Sequence, residues 1–194
     1  MLYNIPNIIT YFRIALIPCL VIVFYLPESY LDFQQKNIWA TSIFILAALS
    51  DWLDGYLARK LNQSSKFGAF IDPVADKLIV IAALLLLVEL GRVHSMIALI
   101  IIGREFAISA LREWMATIGK PGGVAVAYIG KLKTGFQMAA IICLLYFESI
   151  GFIPIATIGN ILINLAAILT IISMVVYLKA AIKIYGHLVF ITLN

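Results

Sequence analysis

Four aspartates define the chemistry open to this chain. Asp51 and Asp54 stand three residues apart and Asp72 and Asp76 four apart, within residues 50–77, SDWLDGYLARKLNQSSKFGAFIDPVADK. At helical spacing each pair lies on one face of its helix. Both pairs adjoin long apolar runs, and a carboxylate beside such a run costs a few kcal/mol or more unless it faces a cavity and binds something. The polar connection at 62–66 is short enough to make the two helices antiparallel neighbours, so the pairs can meet across one seam. Four converging carboxylates repel one another. One or two hard cations with oxygen ligands would hold them ionised, and magnesium or manganese is the natural guest.

The surrounding residues fit a bound molecule as well as an ion. Gly55 and Ala58 lie a turn beyond the first pair and Gly68 a turn before Asp72, clearing bulk along the same faces. Small residues also serve helix packing in membranes, so this stripe alone is not diagnostic. Arg59 closes the run, where its planar fork could take a phosphate oxygen bidentately, or could act simply as a topological anchor. Pro73 is expected to begin or kink the helix that carries Asp72 and Asp76.

The elements that must carry these residues are apolar helices. Of 194 residues, 63% are hydrophobic and 12% charged, against roughly 25% charged in a soluble domain. We read an all-α polytopic membrane protein with six transmembrane helices at about 5–26, 37–61, 68–91, 93–117, 127–149 and 152–184, forming a single domain over 1–194. Arg59, Lys60, Lys66, Arg112, Lys120, Lys131, Lys133, Lys179 and Lys183 fall at one set of helix ends and Lys36 and Arg92 at the other, which places both termini in the cytoplasm. The net charge of +4 is explained by that topology and by attraction to anionic lipid headgroups, with no nucleic acid required. The first segment lacks a small-x-small cleavage site and is expected to stay as helix one. Cys19 and Cys143 lie in separate apolar runs and read as packing residues, while His94 and His187 have no partners at ligand spacing.

A second polar group interrupts the later helices. Arg104 and Glu105 break an apolar span, and Arg112 follows Glu105 by seven residues on the same stripe. Glu105 could equally be a salt bridge locking its helix to a neighbour, so the arginines are the better ligand contacts. Lys131 and Lys133 open the next helix at the same level. Together these cations form a basic basin suited to an acceptor that bears its own phosphate. Residues 119–123, glycine-rich around Pro121, read as a turn or a gate between helices four and five.

The eight fixed positions Asp51, Asp54, Gly55, Ala58, Arg59, Gly68, Asp72 and Asp76 resemble, at every spacing, the signature of the CDP-alcohol phosphotransferases. That resemblance implies six transmembrane helices, a cytoplasm-facing active site, divalent metal and usually a homodimer. It implies that Asp51, Asp54 and Asp72 ligate metal, that Asp76 approaches the metal and acts as general base, and that Gly55, Ala58, Gly68 and Arg59 shape the nucleotide and diphosphate site. Phosphoryl transfer needs charge neutralisation and in-line positioning above all, which a pair of ions held by aspartates can supply.

Three further stretches narrow the resemblance: Asn4–Thr10 with Arg13, Arg104–Phe106 with Leu111–Arg112, and Gly130–Thr134 are similar to the bacterial phosphatidylglycerophosphate synthase branch of that family. The implied donor is CDP-diacylglycerol and the implied acceptor glycerol 3-phosphate, with CMP leaving. Asn7, Thr10 and Arg13 would lie near the donor headgroup, and Arg104, Arg112, Lys131 and Lys133 near the acceptor phosphate, in a bacterial cytoplasmic membrane. Two rival chemistries are weighed against this. A cardiolipin or inositol-phosphate lipid synthase would also want the basic basin. A divalent-cation transporter would place its carboxylates near the midplane on broken helices rather than toward one face.

Overall fold

In a computed structural model of the chain, the backbone is described at residues 5–61, 66–117 and 125–192, and side chains at 8–53, 71–117, 130, 132–179 and 182. Among the described residues each apolar segment becomes one helix: α1 (Ile5–Tyr25), α2 (Phe33–Leu61), α3 (Lys66–Glu89), α4 (Ser95–Thr117), α5 (Ala125–Tyr146) and α6 (Ile155–Thr192). The chain is therefore all-α. Among the described residues two helices, α1 over Ile8–Tyr25 and α6 over Ile155–Lys179, are long and apolar enough to cross a membrane by length and composition.

Helix ends depart from the hydropathy boundaries where capping chemistry takes over. Helix α2 starts four residues early because Asp32 and Gln35 cap each other: Gln35 N–H donates to Asp32 Oδ1 at 2.7 Å and Asp32 N–H to Gln35 Oε1 at 3.1 Å. Helix α3 starts at Lys66 and continues past Pro73 to Glu89, so the proline does not begin it. It ends in a Schellman turn, with Gly91 at φ 67, Gly91 N–H on Val88 O at 3.0 Å and Arg92 N–H on Leu87 O at 2.8 Å. His94 caps α4, accepting the Met96 N–H at Nδ1 (3.2 Å). Before α6, Ile150 and Ile153 exchange backbone hydrogen bonds of 3.1 Å around Gly151, whose φ of 59 suits the tight turn.

The chain divides into two compact units. The first holds residues 1–93 and 141–159. In it α1 packs against both α2 and α3, while direct α2–α3 contact among the described residues is slight. Fully buried Ala40, Ala47, Ala75 and Ala83 keep the side-chain layer thin, and Leu20, Phe44, Leu84 and Leu87 fill it. Three α1–α3 contacts, Thr10–Asp72, Arg13–Asp76 and Tyr25–Glu89, have sequence separations of 62, 63 and 64. An offset that changes by only two residues over the length of the helices means that α1 and α3 run parallel. Lys36, at the start of α2, reaches Phe24 O at the end of α1, so α2 runs antiparallel to α1.

The end of this unit away from the aspartates is closed by buried cations. Lys36 donates to the Phe24 carbonyl at 3.3 Å. Arg92 donates to the Leu144 and Leu145 carbonyls at 2.8 and 3.0 Å and to Asn37 Oδ1 at 2.7 Å, with its guanidinium 5.3 and 4.2 Å from the ring centres of Phe33 and Phe147. These are the two cations that stood apart from the rest in the charge distribution. Each is spent on the carbonyl end of a helix, where a positive charge is favourable. Burial pushes the Arg92 pKa down to about 10, opposed by the Glu148 carboxylate. Phe147, the only described non-glycine residue at positive φ (64), ends α5 against that guanidinium. Where α6 begins, Gly159 passes so near α5 that a Cβ there would lie 2.8 Å from Leu144 Cγ.

The second unit holds residues 94–140 and 160–194. On α4, Ala98, Ile101, Arg104, Ile108 and Met115 are buried. Ile101, Ile108 and Met115 repeat every seven residues as a packing seam requires, and Arg104 sits within that stripe. Large apolar residues also face outward on both units, among them Ile22, Trp39, Leu49 and Leu85 in the first and Leu99, Ile161, Ile168 and Ile172 in the second.

Candidate active site

The aspartates of α2 and α3 are drawn together through α1. Thr10 and Arg13, one turn apart on α1, meet Asp72 and Asp76, one turn apart on α3. The Thr10 hydroxyl donates to Asp72 Oδ1 at 2.5 Å. Arg13 Nη1 donates to Asp76 Oδ1 and lies 3.2 Å from Asp51 Oδ1 on α2. Thr10 and Arg13 are each 1% exposed, whereas the side chains of Asp51 and Asp76 are 56% and 41% exposed. The helix packing thus holds a buried cation beneath carboxylates that open outward.

Carboxylate oxygens that converge on one positive centre suit a hard divalent cation by donor type and by charge. Among the described residues no three Asp, Glu, His or Cys side chains are grouped so as to hold a metal ion, and the fourth aspartate, Asp54, lies outside the described side chains. So do Asn7, Gly55, Ala58, Arg59, Gly68 and Lys131, and the turn or gate at 119–123 lies wholly outside the described residues. Cys19 and Cys143 are free thiols.

The basic residues of α4 and α5 form a cluster of their own in the second unit. Lys133, 1% exposed, is ion-paired with Glu105 Oε1, and Arg104 Nη1 lies 3.2 Å from the same oxygen. Glu105 therefore joins α4 to α5, and the positive charge of Lys133 is taken up by it. Arg104 Nη2 donates to Ser173 Oγ on α6 at 3.0 Å. Arg112 is exposed, and its Nη2 donates to the Tyr177 hydroxyl at 2.7 Å.

Sequence reasoning placed Thr10 and Arg13 beside the donor headgroup. The structure brings them onto the aspartates themselves, a pairing across more than sixty positions that periodicity along one helix does not reveal. It passed over Ser173 and Tyr177 altogether. The signal was there: Thr170, Ser173 and Tyr177 recur at three and four residues on α6 within an otherwise apolar run, one polar face on an apolar helix.

The sequence model of the CDP-alcohol phosphatidyltransferase family matches residues 3–176. Curated proteins from Shigella flexneri serotype 5b (strain 8401), Salmonella choleraesuis (strain SC-B67) and Escherichia coli (strain K12), each named CDP-diacylglycerol–glycerol-3-phosphate 3-phosphatidyltransferase, are 48% identical over 185 residues, covering 93% of this chain and 96% of each relative. The match takes in both the helices that hold the aspartates and those that hold the arginines, and on that evidence the chain belongs to the CDP-alcohol phosphatidyltransferase family.

Proposed function

We propose that this chain transfers the phosphatidyl group of CDP-diacylglycerol to glycerol 3-phosphate, releasing CMP and forming phosphatidylglycerophosphate. The observation that carries the reading is the gathering of Asp51, Asp72 and Asp76 around α1 at signature spacing, in a chain whose relatives bear that activity in their names. The single domain over 1–194 works as a six-span protein of the bacterial cytoplasmic membrane, with aspartates and both termini facing the cytoplasm. The asymmetric charge and the outward-facing apolar residues support this. A homodimer is the expected assembly.

Divalent ions, two of magnesium or manganese, would be held by Asp51, Asp54, Asp72 and Asp76 and would supply charge neutralisation at the diphosphate. Arg13 fixes the directions of the Asp51 and Asp76 carboxylates, and Thr10 that of Asp72. Asp76 takes the proton from the acceptor hydroxyl. The freed oxygen bonds to the phosphorus next to diacylglycerol, the bond from that phosphorus to CMP breaks, and CMP departs with the electron pair. Asn7, Gly55, Ala58, Arg59 and Gly68 line the donor site. Arg104, Arg112 and Lys131 supply the positive charge that selects an acceptor bearing a phosphate, and Lys133 joins them when the acceptor phosphate displaces Glu105 from it.

The test is CMP release by purified protein in detergent with CDP-diacylglycerol and magnesium. Glycerol 3-phosphate, inositol, inositol phosphate, serine and phosphatidylglycerol are offered in separate reactions. Release with glycerol 3-phosphate alone is expected. Release with another acceptor instead would keep the donor site and discard the acceptor, and no release with any would overturn the transferase reading.

A further inference from the structure

Arg104 and Arg112 lie eight residues apart on α4, about 12 Å along a helix axis, yet both guanidiniums are gathered by one short stretch of α6. Arg104 Cζ is 6.0 Å and Arg112 Cζ 5.2 Å from the centre of the same Tyr177 ring. The Tyr177 hydroxyl accepts from Arg112 Nη2 at 2.7 Å. One turn earlier, Ser173 Oγ accepts from Arg104 Nη2 at 3.0 Å while donating to Thr170 O at 2.9 Å. The two ends of this arrangement are unequal. Ser173 is fully buried and Arg104 nearly so, held from the other side by Glu105. Arg112 is exposed, and Tyr177 directs it through a hydrogen bond and a ring contact.

An exposed arginine has about 2 kcal/mol of rotamer freedom to lose on capturing an anion. A neighbour that pins the guanidinium in advance removes part of that cost. Tyr177 supplies two restraints of different kinds, a ring face beneath the cation and a hydroxyl acceptor at one nitrogen, leaving the other guanidinium edges for a ligand.

We infer that Tyr177 is a positioning residue for the acceptor: it presets the Arg112 guanidinium, beside Arg104, for the phosphate dianion of glycerol 3-phosphate. This rests on the reading of Arg112 as an acceptor contact. The role lies outside the aspartate signature and makes α6 part of acceptor selection.

Steady-state CMP release by the full-length enzyme in detergent tests it, with each substrate varied in turn for wild type, Tyr177→Phe, Tyr177→Leu, Arg112→Ala and the Arg112→Ala/Tyr177→Phe double variant. Tyr177→Phe, which keeps the ring, should raise KM for glycerol 3-phosphate roughly 3- to 10-fold, the net worth of one ordinary hydrogen bond, since the hydroxyl acts on the ligand only through Arg112. Its kcat should stay within about twofold and its KM for CDP-diacylglycerol unchanged. Tyr177→Leu should raise the acceptor KM further. In the Arg112→Ala background, Tyr177→Phe should add nothing, because the group it positions is gone. Undiminished additivity, or equal rises in both KM values, would show a merely structural tyrosine and overturn the inference. A raised acceptor KM in Arg112→Ala with none in either tyrosine variant would also overturn it while sparing the acceptor reading. An unchanged acceptor KM in Arg112→Ala would remove both.

Discussion

Replacing Arg92 by Met should destabilise the protein by about 3.5–7 kcal/mol without touching catalysis. Methionine keeps most of the side-chain stem but deletes the guanidinium, which strips donors from the Leu144 and Leu145 carbonyls and from Asn37 Oδ1. A buried acceptor left unsatisfied costs about 1–3 kcal/mol. The low end applies to the two carbonyls, since a helix terminus can recruit water. Loss of the contacts to the Phe33 and Phe147 rings adds about 0.5–2 kcal/mol. In a chain of this length each kcal/mol shifts Tm by about 2–4 °C, so a fall of roughly 7–28 °C is expected. Far-UV circular dichroism in detergent, alongside residual CMP release after heating, measures it. The Arg92 pKa is lowered in the fold to about 10, so the linked stability rises with pH only above that value, and the cap contributes a constant amount at neutral pH. A Tm shift under about 2 °C at neutral pH would refute the capping argument. So would a large loss of turnover well below the transition, because Arg92 lies at the end of its unit away from the aspartates.

Three other perturbations probe separate parts of the molecule. Asp76→Asn should abolish turnover while CDP-diacylglycerol binding, followed by calorimetry, is largely retained; equal loss of binding would move Asp76 from base to donor contact. Thr10→Val should lower kcat about tenfold by freeing the Asp72 carboxylate, with Thr10→Ser restoring most of it, since only the hydroxyl makes the contact. Gly159→Ala should cost about 1–3 kcal/mol, read as a lower Tm, because its methyl group would press on Leu144 and Cys143.

Hydropathy located every helix, because six runs of apolar residues separated by short polar links leave little choice of architecture. It misjudged ends wherever a side chain overrode it. Asp32 and Gln35 carried α2 outward through a capping box, a signal readable in the sequence but eclipsed by the apolar pattern. Of the candidate site, Asp51, Asp72 and Asp76 were legible because acids beside apolar helices are expensive and their spacing is periodic. The part played by α1 was not. Thr10 and Arg13 meet Asp72 and Asp76 through parallel packing of helices far apart in sequence, and nothing local encodes that register. Glu105 was read with two outcomes open, and its pairing with Lys133 follows the salt-bridge one. Tyr177 was invisible for a different reason: an aromatic in an apolar helix is ordinary, and only its contact with two arginines gives it meaning.

The parallel pairing of α1 with α3 also bears on how the protein is made. Thr10 and Arg13 precede their partners by 62 and 63 residues. At a synthesis rate of 5–20 residues per second, α1 waits about 3–12 s before Asp72 and Asp76 exist. During that interval α2 arrives and brings Asp51, which can engage Arg13 first. The arginine that bridges the acids thus has its α2 partner in the chain before its α3 partner. A chain with α3 displaced by a single residue relative to α1 would turn Asp72 and Asp76 about 100° away from Thr10 and Arg13, and it would reach full length with its helices made and its acids ungathered.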